Sequence, residues 1–167
     1  MARWRGWFEN LLELIVVVLM IGLAVEVLLG VTYRKLGMSL SWYDEIASVT
    51  LAWLTYYGAA LAALKGAHIG VPEIVRFMPR SWRVVTVYVG ECFVFAFLIV
   101  LGWTGMSVLD VLATDTLVSL PTIPVSYTQS VIPIASVLFI VAEALRFPER
   151  LAEARAGEPA ITPTGDA

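Results

Sequence analysis

The chain has 167 residues, 59% of them hydrophobic, and a mean hydropathy of +0.83, which is too apolar for an ordinary soluble domain and places it in a membrane. Its net charge of -3 says little, because in membrane proteins the placement of Lys and Arg outweighs their sum, and it gives no reason to expect a nucleic-acid partner. One cysteine, Cys92, excludes an intramolecular disulfide and paired-thiol chemistry, and one histidine, His68, excludes a bis-His haem anchor, so no cofactor or metal is expected.

The opening segment places Trp4, Trp7, Phe8 and Leu11 at helical spacing while Arg3, Arg5 and Glu9 turn elsewhere, the pattern of an interfacial helix leading into a span. The apolar stretch that follows has no small-x-small cleavage site and is long for a signal peptide, so it reads as retained. The first span is predicted at about 11–32 and contains two acids. Glu13 sits near a boundary. Glu26 lies deeper, where an ionised carboxylate in lipid is costly, so it is expected to face protein with Arg34 and Lys35 as candidate partners.

The second span, 46–64, has 19 uncharged residues, about 28 Å of helix and close to the hydrocarbon thickness of a bilayer. Ser41 is predicted as its N-cap, with Asp44 and Glu45 complementing the helix dipole in the first turn. Trp42 and Tyr43 suit the headgroup region at this end, and Lys65 marks the other. Gly58 with Ala62, and Ala59 with Ala63, form small-residue pairs at four-residue spacing that let a second helix approach closely. His68, alone beside the boundary, reads as a hydrogen-bonded interfacial residue and not a ligand.

Pro72 and Pro79 bracket a short amphipathic segment, with Ile74, Phe77 and Met78 opposite Glu73, Arg76 and Arg80, predicted as a helix at the membrane surface. A third span at about 84–106 carries Glu91, treated like Glu26 as an acid that packs or pairs between helices. The loop after it holds Asp110 and Asp115 and no basic residue. The fourth span, about 125–142, places Thr128, Gln129, Ser130 and Ser136 around Pro133, which is expected to bend it. The segment from 156 to 167, rich in Gly, Pro, Ala and Thr, is predicted to be a disordered tail.

These elements make an all-α integral membrane protein with four transmembrane helices and short interfacial helices. If both termini are cytoplasmic, Arg3, Arg5, Lys65, Arg76, Arg80, Arg83, Arg146, Arg150 and Arg155 fall inside, nine of the eleven basic residues. Only Arg34 and Lys35 then lie outside, so the positive-inside rule selects this topology.

The ordered set Val31-Thr-Tyr-Arg34, Ser41-Trp-Tyr-Asp-Glu45, Trp53, Gly58-Ala59-Ala60, Gly66-Ala-His-Ile-Gly-Val71, Met78-Pro79, Ile123-Pro-Val-Ser-Tyr127 and Ile132-Pro-Ile134 resembles the small permease (Q) subunit of the tripartite ATP-independent periplasmic (TRAP) transporters. The resemblance covers nearly the whole chain. Two departures stand out: Pro121-Thr-Ile-Pro124 replaces a commoner Gly-Ile-Pro, and Glu73 stands where aspartate is frequent. The resemblance implies a non-enzymatic subunit of the bacterial inner membrane that works with a large permease subunit, a periplasmic substrate-binding protein and the surrounding lipid in sodium-coupled uptake of organic acids. It suggests Trp53, Gly58, Ala59, Ala62, Ala63 and His68 as packing or large-subunit contacts. Arg34, Lys35, Trp42, Asp44 and Glu45 would form a mixed-charge rim that helps dock the binding protein, with headgroup anchoring as the competing role for the two basic residues. No broken helix with a polar midplane site is evident. An alternative is a self-sufficient channel or carrier made by oligomerisation, with Glu26 and Glu91 as ion ligands.

Overall fold

Lipid cannot satisfy a backbone N–H or C=O, so long apolar segments cross it as helices. The computed structural model describes residues 2–38, 40–66 and 79–156. Among them lie α1 (Ala2–Lys35), α2 (Tyr43–Lys65), α3 (Arg80–Val111), a 3-10 turn (Leu112–Thr114), the short α4 (Val125–Gln129) and α5 (Val131–Ala156). Four helical segments are long and apolar enough to span a membrane, the last running through α4 and α5. The expected interfacial helix at the start is not separate: it is the first turns of one continuous α1. The surface helix predicted between Pro72 and Pro79, His68 and most of the predicted tail lie outside the described residues.

The helices form an open row. α1 packs on α2, α2 on α5, and α5 on α3, while α1 and α3 stand at opposite edges. The core joins Leu12 of α1, Tyr57, Ala60, Ala63 and Leu64 of α2, and Val131, Ala135 and Ala142 of α5. α3 stands outside this cluster and reaches α5 through small residues. A Cβ on Gly105 would come within 2.9 Å of Ile132 Cγ2 and 3.1 Å of Pro133 Cδ. Close approach at that crossing therefore requires glycine.

Local chemistry fixes the helix ends. α2 begins after Trp42, which makes no side-chain cap. Ser41 is thus not the N-cap expected from the sequence; its carbonyl instead accepts a hydrogen bond from Ser119 Oγ at 3.0 Å. At the other end Gly66 adopts φ +71 and donates its N–H to the Ala62 and Ala63 carbonyls, a left-handed cap that suits glycine. The Arg146 guanidinium occupies the space a Gly66 side chain would need. Its charge there complements the negative end of the α2 dipole.

Near Pro133 the last span is interrupted for one residue, Ser130, which keeps right-handed helical dihedrals. The proline ring lacks an N–H and collides with the carbonyl four residues earlier, that of Gln129, where α4 ends and α5 begins two residues later. Ser130 Oγ donates to the Tyr127 carbonyl at 2.7 Å and Ser136 Oγ to the Ile132 carbonyl at 2.8 Å. Trp53 Nε1 donates to the Thr128 carbonyl at 2.9 Å and ties α2 to the interrupted region.

Gly66→Ala is expected to lower the thermal unfolding midpoint of the purified chain in detergent, because the left-handed backbone alone costs roughly 1–2 kcal/mol for an L side chain and Arg146 must also move. Gly58→Ala, which meets nothing within 4 Å and removes a glycine from a helix interior, should not lower that midpoint.

Candidate functional site

Two charged belts bound the molecule. At the end where α1 begins and α5 finishes, Lys65 of α2 contacts Glu13 of α1 and lies 3.7 Å from Glu9, and Arg5 pairs with Glu149 of α5. Arg150 Nη1 donates to Glu91 Oε1 of α3 at 2.6 Å and lies 3.1 Å from Glu143 Oε2. Glu91, Glu143 and Arg146 are all buried. Because Arg146 lies against Gly66, beside Lys65, these contacts draw all four long helices into one ionic layer.

The opposite belt holds Arg34, Lys35, Asp44, Glu45 and Asp110. Glu13 to Arg34 is 21 residues, Glu45 to Lys65 is 20 and Glu91 to Asp110 is 19, which correspond to about 28–32 Å of helix. That spacing matches the hydrocarbon core of a bilayer. On this reckoning Glu91 marks the membrane boundary of α3, and the turns from Arg80 to Gly90 project beyond it.

The rim residues named from the sequence gather at this second end, and several are already engaged. Arg34 lies 5.6 Å from the Tyr43 ring centroid, and its Nη2 is 3.4 Å from the Tyr43 hydroxyl. The Tyr43 ring in turn fills the space where a Gly30 side chain would stand. Glu45 accepts the backbone N–H groups of Val118 and Ser119 at 2.9 and 2.8 Å. Together with the Ser119–Ser41 bond, this pins the α3–α4 loop over the start of α2. The loop closes on itself through Leu117 N–H to the Ile123 carbonyl and Val125 N–H to the Asp115 carbonyl. Lys35, Trp42 and Asp44 remain exposed.

Neither basic residue proposed for Glu26 reaches it in the described contacts. Arg34 serves Tyr43, and Glu26 lies beside the Thr50 hydroxyl of α2. The small-residue pairs divide between two faces: Ala63 is buried, whereas Gly58, Ala59 and Ala62 are only partly covered and Gly58 meets open space. Ser48, Ala52, Thr55, Ala59 and Ala62 follow at helical spacing along the outer side of α2. Sequence reading missed Glu143, Arg146 and Arg150 as a cluster. Their i, i+3, i+7 spacing opposite a lone acid on another span was the available signal.

The family model described as tripartite ATP-independent periplasmic transporters, DctQ component, matches residues 23–153. Comparison with curated proteins returns no match.

Removing Arg150 leaves two buried carboxylates without their shared cation, which typically costs about 3–5 kcal/mol. Arg150→Ala is therefore expected to unfold the purified chain at markedly lower temperature than wild type. Arg5→Ala, which breaks an exposed pair, should cost less than about 1 kcal/mol.

Proposed function

The chain belongs to the DctQ component family, which makes it a small membrane subunit of a TRAP transporter, and from that membership we propose that it braces the scaffold of a large permease subunit through the outer face of α2. The observation that carries this reading is a mismatch between composition and surroundings. α2 is the least apolar of the four spans, with a mean hydropathy of 1.4 against 2.9, 2.5 and 1.9 for the others, yet its Ser48, Ala52 and Thr55 are exposed. Lipid is a poor partner for a stripe of Ser48, Ala52, Thr55, Ala59 and Ala62, whereas a second helix packs closely on small residues. Trp53 and Ala63 face inward and hold α2 in register for that contact.

The orientation rests on the basic residues: with four crossings, nine of the eleven fall on the side of the termini. With that side cytoplasmic, the chain sits in the bacterial inner membrane and the rim of Lys35, Trp42 and Asp44 faces the periplasm. There it helps orient the substrate-binding protein, since mixed charge mainly sets docking geometry and on-rate. Glu45 serves the rim indirectly, by holding the α3–α4 loop in place. Sodium coupling and organic acid recognition belong to the large subunit and the binding protein.

Gly58→Leu and Ala62→Leu are expected to leave the isolated chain folded, because their side chains enter uncovered space, while co-purification with the large subunit falls several-fold. Undiminished recovery would mean that this face meets lipid. For topology, after replacement of Cys92, a cysteine at Thr114 should react with a membrane-impermeant thiol reagent from the periplasm and one at Ser81 should not; the reverse pattern would invert the assignment.

A further inference from the structure

The loop between α3 and α4 is tied down on every side but one. Both carboxylate oxygens of Glu45 are used on it: Oε1 accepts the Val118 N–H at 2.9 Å and Oε2 the Ser119 N–H at 2.8 Å. Ser119 Oγ donates to the Ser41 carbonyl at 3.0 Å. The N–H groups of Leu117, Ile123 and Val125 bond to the carbonyls of Ile123, Leu120 and Asp115 within the loop. Leu117 is 7% exposed, whereas Val118 is 91% exposed, more than any other large hydrophobic side chain among the described residues. One residue anchors the loop inward and the next is displayed.

Hydrocarbon is a poor host for that display, because irregular backbone does not lie against lipid tails, and Glu45 holds the loop at the charged belt. An apolar side chain held in water gains by burial against a partner, and an already ordered loop loses little entropy when it docks. The surroundings define the partner's chemistry. Asp44 and Asp115 are exposed and neither forms an ion pair with a described residue. No basic residue occurs between Arg83 and Arg146, and the rim's own cations, Arg34 and Lys35, belong to the end of α1, where Arg34 is engaged with Tyr43. Trp42, next to Ser41, is exposed as well.

We propose that Val118 is the apolar contact through which the periplasmic substrate-binding protein seats on this chain, entering a small apolar pocket with a basic rim, and that Glu45 is its positioning residue. This rests on the subunit reading above, which turns the rim to the periplasm. A carboxylate suits the task because it offers an acceptor to each of two adjacent backbone N–H groups, whereas an amide offers one and sets its own N–H₂ against the other.

The affinity of the cognate binding protein for the complex of large and small subunits in nanodiscs tests it. Val118→Ser is expected to weaken binding roughly ten-fold, as loss of a buried apolar contact does, and Val118→Ile to retain it. Asp115→Lys, which brings a cation to the basic rim, should weaken it several-fold. Glu45→Gln should speed amide hydrogen exchange at Val118 and Ser119 and weaken binding, yet add little in a chain that already carries Val118→Ser, because it acts through that side chain. Wild-type affinity in Val118→Ser or Asp115→Lys would overturn the proposal and leave the subunit reading intact. A wild-type complex that binds no binding protein would remove both. Unchanged exchange in Glu45→Gln would overturn the role of Glu45, and quenching of a fluorophore at position 118 by brominated lipid would assign the side chain to the membrane and overturn the contact.

Discussion

The placement of α3 depends on one guanidinium. α3 shares no residue with the core formed by α1, α2 and α5, and inside a bilayer there is no hydrophobic drive to press it onto its neighbour. What fixes it is a glycine-lined crossing at Gly105 and, near the other end, Arg150 bridging Glu91 to Glu143. The first sets how close the helices come. The second sets rotation and depth, because an unpaired acid displaced into lipid or buried without a partner is costly. A single cation serving two helices thus converts a sliding contact into a defined one.

The same logic explains why the helices stay in a row. Most tethers join neighbours, Lys65 to Glu9 and Glu13, Arg146 to the end of α2, and Arg150 to Glu91, and one, Arg5 to Glu149, reaches from α1 past α2 to α5. None joins α1 to α3 among the described residues. A closed four-helix bundle hides its polar and small residues around one axis, whereas a row leaves two broad faces. Such faces are open to a partner of the kind proposed above. The polar layer at one end supplies the rigidity that a closed core would otherwise give.

Much of this was legible in the sequence. The four spans and the charge asymmetry follow from composition and spacing, because lipid imposes a length and an apolarity that few other environments demand, and the family shows in the resemblance of its motifs. Glu26, Glu91 and the rim residues stood out as chemistry needing partners. Their partners were the hidden part. Arg150 lies 59 residues from Glu91 and reads, in one dimension, as an ordinary member of a charged tail; only the pairing of α3 with α5 brings it across. Ser41 carried the composition of a cap, but Ser119 and Glu45 are joined by a loop closure that spans more than 70 residues, and that closure redirects it. Pro133 announced a distortion, and the missing N–H, opposite the Gln129 carbonyl, places it at the junction of α4 and α5. Long-range polar contacts leave no periodicity, so spacing rules cannot find them.

The central claim, that the outer face of α2 meets the large subunit, is tested most directly by photo-crosslinking from single sites in the intact membrane complex. A photoreactive residue at Ala52 or Ala59 is predicted to capture the large subunit in high yield, while one at Leu14 on α1 or Phe97 on α3 captures mainly lipid. Strong capture from Phe97 or Leu14 with none from Ala52 and Ala59 would contradict the account and move the interface to an edge of the row.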